Sequence, residues 1–366
     1  VRNPTVAIVA NRGFALLSSR WPLIRRLVAA RLRVVIVTAA DEFARRLCDD
    51  GVLHETIEVE RQVFAPRSDV RLFRALYDAY RKHGPQLVHH FHAKPMILGT
   101  IAARLALGRK VGIVNTVTGL GMAYLRRDLA WPVARVGYAI ASRSADRTVF
   151  QNPDDRNLFL ENGWTTASSS VLVSGSGVDL DVYRPVPDSD RRFERVLMVT
   201  RLLRSKGVRD YIAAAAMLRR DHPSLEFLLA GELEPDHPEA VSEEEVRAAE
   251  ATGCIEYLGY RRDIDSIMPS VGVVVLPSRY PEGVPRVLLE AASCGVAAVG
   301  TDAPGIREAI VSGRTGFLVP PGDVPALAQA IFAIVSDRNR AIEFGKNART
   351  LARERFDIEA VTDAQI

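Results

Sequence analysis

Cysteine is scarce in this 366-residue chain, which holds three, at Cys48, Cys254 and Cys294. They are scattered, with no C-x-x-C pair and no Cys/His ligand spacing. That excludes a zinc ribbon or a disulfide scaffold and leaves them as reduced packing thiols of a cytoplasmic protein. Long apolar runs are also missing. No uninterrupted stretch approaches ~18 residues, so no segment is expected to span a bilayer. Residues 6–10 are too few for the apolar core of an export signal and read as a first strand. Aromatic residues make up 7% and do not interleave with basic clusters, and no nucleic-acid-binding motif is present. Internal repeats and low-complexity tracts are absent, which excludes solenoids and compositionally disordered segments.

What the chain does have is length, charge asymmetry and alternation. It exceeds the ~250–300 residues at which one core stops growing, so two domains are expected. Apolar residues make up 48%, ordinary for a globular protein. Residues 1–183 hold 25 Lys+Arg against 16 Asp+Glu, a net +9, and residues 184–366 hold 23 against 28, a net −5. The basic half needs an acidic partner. An anionic membrane surface or a diphosphate-bearing acceptor suits it better than nucleic acid.

Short apolar segments separated by helical patterns recur at 5–10, 33–38, 86–90, 112–116, 147–151 and 170–173, and again near 196, 226, 255, 272, 296 and 317. This is the pattern of doubly wound parallel sheets. Tyr183-Arg-Pro-Val-Pro-Asp-Ser-Asp190 supplies prolines and small polar residues between the two series. The expected organisation is a Rossmann-like domain over 1–182, a linker over 183–192, a second Rossmann-like domain over 193–350 and a helical segment over 351–366. The active site is expected in the cleft between the domains.

The most informative stretch is E-G-V-P-R-V-L-L-E at 282–290, which follows the buried-strand pattern V-G-V-V-V-L-P at 271–277. Gly283 permits an unusual backbone, and Pro285 suits the first helical position, where its missing N–H costs nothing. The first-turn N–H groups of such a helix favour an anion such as a diphosphate. Glu282 and Glu290 lie at most roughly 12 Å apart along it, so one carboxylate can hold a sugar and the other a ribose. Upstream, the strand pattern V-L-M-V-T at 196–200 leads into R-L-L-R-S-K-G at 201–207. This places Arg201 and Lys206 at a strand's C-terminal end, where open α/β sheets bind ligands, and gives a forked and a compact cation for the diphosphate.

Six motifs in order resemble the nucleotide-binding half of family 4 retaining glycosyltransferases of the GT-B fold. They are G-S-G-V-D (175–179), T-R-L-L-R-S-K-G (200–207), L-L-A-G-E (228–232), Y-L-G-Y (257–260), P-E-G-V-P-R-V-L-L-E (281–290) and G-R-T-G-F-L-V-P-P-G-D (313–323). The resemblance implies two facing Rossmann-like doubly wound domains with an interdomain active-site cleft. It implies that Arg201 and Lys206 neutralise the donor diphosphate, that Glu282 holds hydroxyls of the transferred sugar and that Glu290 accepts from the ribose. The backbone around Gly283, Val284 and Arg286 would complete the phosphate cradle, and the base would lie near Tyr260 and Arg261. No cofactor or metal is expected: Asp179/Asp181 and Asp263/Asp265 read as turn and helix-start carboxylates, since the two cations already supply positive charge.

The first half resembles the bacterial branch that acts on polyprenyl-diphosphate-linked saccharides. The segments that carry this are N-R-G-F-A-L-L-S-S-R-W-P-L (11–23), H-H-F-H-A-K-P (89–95) and N-T-V-T-G-L-G (115–121). Asn11, Arg20, His92, Lys94 and Thr118 are the acceptor candidates, with Arg20 and Lys94 as ligands of its diphosphate. His89 and His90 alternate to opposite sides of a strand and lack a carboxylate or Cys at ligand spacing, so a metal is not expected there. Thr118 stands where several relatives carry a His, leaving no obvious general base. Retaining transfer tolerates this, because the departing diphosphate can accept the acceptor's proton. Residues 122–147 mix Leu125, Leu129, Val133, Val136 and Ile140 with Arg126, Arg127, Arg135, Arg143 and Arg147. They fit either a bilayer interface or an ordinary crossover helix.

The expected function is thus transfer of a hexose or N-acetylhexosamine from a UDP-sugar to a lipid-linked saccharide, in a protein peripheral on the cytoplasmic face of a membrane. A sugar-nucleotide epimerase and a non-catalytic sugar-binding protein share the architecture, and fold does not separate them.

Overall fold

The computed structural model describes residues 3–48, 50–60, 65–120 and 130–366. They fall into two compact units, Val1–Ser176 with Val361–Ile366, and Gly177–Ala360.

In the first unit, strands β1 (Thr5–Arg12), β2 (Arg33–Ala39), β3 (Leu53–Thr56), β4 (Leu87–Phe91), β5 (Gly112–Val117), β6 (Arg147–Phe150) and β7 (Ser170–Leu172) form one sheet in the order β3-β2-β1-β4-β5-β6-β7. Every pairing is parallel. Alternation along β1 and β2 sends Ala7, Val9, Val35 and Val37 to one face, against Leu72, Leu76 and Tyr80 of the helix Pro66–His83. Val6, Ile8, Val34 and Ile36 go to the other, against Leu16, Leu23 and Ile24. Burial on both faces explains the near-continuous apolar reading of these strands. Each such Val or Ile contributes about 1.5–3 kcal/mol. The strand β3 was not legible in the sequence: it is an edge strand whose Leu53 is exposed and whose His54 and Glu55 are half-buried.

The second unit repeats the plan with β8 (Arg192–Val199), β9 (Glu226–Ala230), β10 (Glu256–Gly259), β11 (Val271–Leu276), β12 (Ala297–Thr301) and β13 (Gly316–Val319), in the order β10-β9-β8-β11-β12-β13. These pairings too are parallel. In each unit the order reverses beside the first strand, at β1/β4 and at β8/β11, and such switch points open ligand crevices outside the strands' carboxyl ends.

The units divide at Ser176/Gly177, ahead of the proline-bearing stretch at 183–192. That stretch is fastened along the second unit. Val178 N–H donates to Phe356 O (2.8 Å), and Arg349 donates to Leu180 O (3.2 Å) and Tyr183 O (3.1 Å). Arg191 donates to Gly295 O and Val271 O, both at 3.2 Å. At the other end, the short helix Ile358–Asp363 leads into Val361–Ile366, which belong with the first unit, where Asp363 pairs with Arg26. Among the described residues no helix is long and apolar enough to cross a membrane.

Candidate functional site

The second unit brings Lys206 and Glu282 together beside the β8/β11 switch point. After β8 the chain runs through Thr200 and Arg201 to the 3₁₀ turn Arg204–Lys206, then through Gly207 (φ 78°) into the helix Val208–Asp221. Gly207 is required there: a Cβ would lie 2.0 Å from Pro277 O, at the end of β11. This close approach sets Lys206 beside the loop that follows β11, where its Nζ donates to Glu282 Oε2 at 2.6 Å and lies 4.7 Å from the centre of the Tyr280 ring. Both partners of the pair are nearly buried, with side chains 10% and 12% exposed. Burial opposes the Lys206 charge, but Glu282 and Tyr280 more than offset it, and the Lys206 pKa lies above its ordinary value.

The helix after the loop is Arg286–Ser293, with Pro285 at its N-cap, one position earlier than the sequence suggests. Glu290 is 9% exposed and accepts from Arg286 Nη2 at 2.9 Å. The left-handed glycine that shapes this loop is Gly305 (φ 82°), where a Cβ would stand 1.6 Å from Gly283 O. Glu282 N–H donates to Pro304 O, pinning the loop to the same neighbour. Arg201 pairs with Glu234 at 3.5 Å, and Tyr260 is 54% exposed beside Arg261, which is paired with Asp263. Asp179 caps the turn at Asp181 and Val182, and Asp263 occupies a helix N-cap. Among the described residues, no three His, Cys, Asp or Glu side chains gather as a metal site.

In the first unit Asn11, His92 and Thr118 all stand at the carboxyl ends of β1, β4 and β5. His92 takes φ 73°, ψ 158°, a backbone region kept almost wholly for glycine, and begins the helix Ala93–Leu107. Asn11 N–H donates to His92 Nδ1 at 3.4 Å. Burial, then the Arg20 charge, push the His92 pKa down to about 4, so the ring is neutral and Nδ1 is the acceptor. Arg20 is 4% exposed, with its guanidinium 4.7 Å from the Phe91 ring centre, and Lys94 is paired with Asp69 at 2.7 Å. Both expected diphosphate ligands are thus largely enclosed. Both arise in crowded helix starts, where buried charge must be partnered.

His89 packs at the strand end, bonded to Thr116 Oγ1 (2.7 Å) and stacked on Phe91, while His90 sits between the Tyr80 hydroxyl (2.9 Å) and Asn115 Oδ1 (2.8 Å). Gly121 and residues 122–129 lie outside the described residues. From Ala130 to Ser144 the segment is a helix that buries Tyr138 and Ala141 and leaves Val133, Val136 and Ile140 exposed. Sequence reasoning missed Glu234, which lies just beyond the L-L-A-G-E motif at 228–232, and Tyr183, whose ring packs among the apolar side chains under the Glu290 helix.

Two Rossmann-like units with parallel sheets, the second carrying paired acids and bases over its switch point, define the GT-B class. A model of glycosyl transferases group 1 matches residues 181–351, and a glycosyl transferase 4-like model matches residues 5–152. Over 278 residues the chain is 30% identical to alpha-maltose-1-phosphate synthase of Mycolicibacterium smegmatis, across 67% of this chain and 70% of that protein. Over 360 residues it is 25% identical to N,N'-diacetylbacillosaminyl-diphospho-undecaprenol alpha-1,3-N-acetylgalactosaminyltransferase of Campylobacter jejuni, across 94% of this chain and 92% of that one. The crystal structure of Anabaena HepE in complex with UDP-glucose shares its fold, with a TM-score of 0.79 at 22% identity over 98% of this chain and 97% of that one. The chain belongs to the group 1, family 4-like glycosyltransferases.

Proposed function

We propose that this glycosyltransferase is retaining and moves a hexose or N-acetylhexosamine from a UDP-sugar to a polyprenyl-diphosphate-linked saccharide, without a metal. The observation that carries the reading is the buried Lys206–Glu282 pair at the β8/β11 switch point. A cation and a carboxylate held within hydrogen-bond distance match a diphosphate joined to a hydroxylated ring. Lys206 and Arg201 take the negative charge of the departing diphosphate, Glu282 accepts from sugar hydroxyls and Glu290 from the ribose. The bond from the anomeric carbon to phosphate breaks as the bond to the acceptor oxygen forms on the same face, and the departing phosphate oxygen takes the acceptor's proton.

The acceptor class is supported by the Campylobacter relative, whose name specifies a diphospho-undecaprenol and which this chain matches over 94% of its length. The exposed Val133, Val136 and Ile140, with exposed Arg135 and Arg143 on the same helix, suit a peripheral position on the anionic cytoplasmic face of a membrane. The relatives named above are a synthase and a transferase, which lends the epimerase alternative no support. Mass spectrometry of UDP-sugar incubations with an undecaprenyl-diphosphate-linked acceptor tests the proposal. A product heavier by one sugar is expected, and no transfer from any of a broad donor panel would overturn it.

A further inference from the structure

The loop after β9 is tied to the basic loop after β8 at both of its ends. Leu202 N–H donates to Glu232 O (3.1 Å), Val241 N–H to Leu202 O (2.9 Å) and Arg204 N–H to Glu239 O (2.8 Å), with Leu203 and Ala240 paired as an antiparallel bridge between them. The Arg204 guanidinium adds a bond to Pro238 O at 2.6 Å. Gly231 lets the two loops start in contact, since a Cβ there would fall 1.7 Å from Thr200 O. Within this frame Glu234 is turned inward. Its side chain is 2% exposed and faces Arg201 at 3.5 Å, while Arg201 itself is 47% exposed. A buried carboxylate thus anchors a guanidinium whose other side is open, an asymmetry that fixes where the five N–H donors of Arg201 point.

We propose that Glu234 is a positioning residue for donor binding: braced by the 232–241 loop, it aims Arg201 at the diphosphate. The inference rests on the donor-site reading above. Glu234 touches no substrate and acts through Arg201, so its effect must vanish when Arg201 is gone.

A double-mutant cycle on the full chain tests this, with UDP, GDP and ADP titrated calorimetrically and the tightest of the three carried forward. Glu234→Gln should weaken binding about tenfold in the wild-type background and change it less than about twofold in an Arg201→Ala background. Equal losses in both backgrounds would mark Glu234 as merely structural and overturn the proposal, as would unchanged binding in the single variant. Should Glu234→Gln melt before it can be titrated, Glu234→Asp, which keeps the charge but withdraws it by one methylene, is expected to show the same dependence on Arg201. Wild-type protein that binds none of the three nucleotides would overturn the donor site itself, an outcome distinct from an additive cycle.

Discussion

At the β1/β4 switch point of the first unit, His89 and His92 are held neutral by burial and by the charge of the buried Arg20; at β8/β11 of the second, acids and bases meet in close pairs. The same topology therefore supports two electrostatic regimes. On the donor-site reading proposed above, charge kept in pairs is exchanged for a charged ligand: a diphosphate replaces Glu282 as the partner of Lys206 while sugar hydroxyls replace Lys206 as the partner of Glu282. Histidines held neutral by burial and by a nearby cation instead offer hydrogen bonds without charge, which suits hydroxyls. The first unit also stores backbone strain, at His92, where the second uses glycines.

The comparison breaks most sharply at Lys206. Lys206→Ala leaves Glu282 nearly buried beside an empty space, and removing one partner of such a pair costs about 3–5 kcal/mol. The variant should lose nucleoside diphosphate binding by at least about a hundredfold and melt at a lower temperature. Calorimetric titration and thermal melts check both, and unchanged titration heats would refute the assignment.

A smaller effect of the opposite sign is expected at His92. If the ring is there for an acceptor, His92→Gly releases a strain of about 1–3 kcal/mol and should leave the melting point unchanged or raised, while transfer to a lipid-linked acceptor falls. A melting point lowered by several degrees would show instead that the ring is mainly packing.

The gentlest test is pH. Burial raises the Asp155 pKa from 3.8 to about 7, with the Asn152 bond opposing and the Asp154 charge adding. The folded chain thus binds a proton that the unfolded chain releases, so this contribution is complete below 3.8 and is lost as pH rises to about 7. His90 acts in the other sense. Burial lowers its pKa from 6.5 to about 4, so its contribution is complete above 6.5 and is lost as pH falls to about 4. Asp155→Asn should therefore gain in melting temperature relative to wild type as pH rises from 4 to 7. A constant difference across that range would show that Asp155 does not carry the protonation.

Much of this was legible because burial writes itself into composition. The strands whose two faces are covered read as Val-, Ile- and Ala-rich runs; the six segments expected in the first half match strands to within two residues, and the six positions expected in the second half fall on or beside strands, although β8 starts at Arg192, ahead of the expected 196–200. Lys206, Glu282 and Glu290 were legible for another reason: turn chemistry and strand ends place them, and both leave local marks such as Gly207 and Pro285. Long-range contact leaves none. That Arg20 would be swallowed by Phe91 and the histidines depends on partners some seventy residues away. Tyr183 lies in a stretch that composition reads as a linker, yet its carbonyl is held by Ser293 and Arg349. Edge strands such as β3 and carboxylates such as Glu234 depend on neighbours that no periodicity announces.

The chain's return at Val361–Ile366 bears on how the protein is made. Residues 1–176 are synthesised before residues 177–360, and residues 361–366, which belong with the first unit, follow them. Until then the pairing of Asp363 with Arg26 cannot form. A gene split at residue 176 would yield a first unit without residues 361–366, so anyone dissecting the enzyme should graft them back by a short tether.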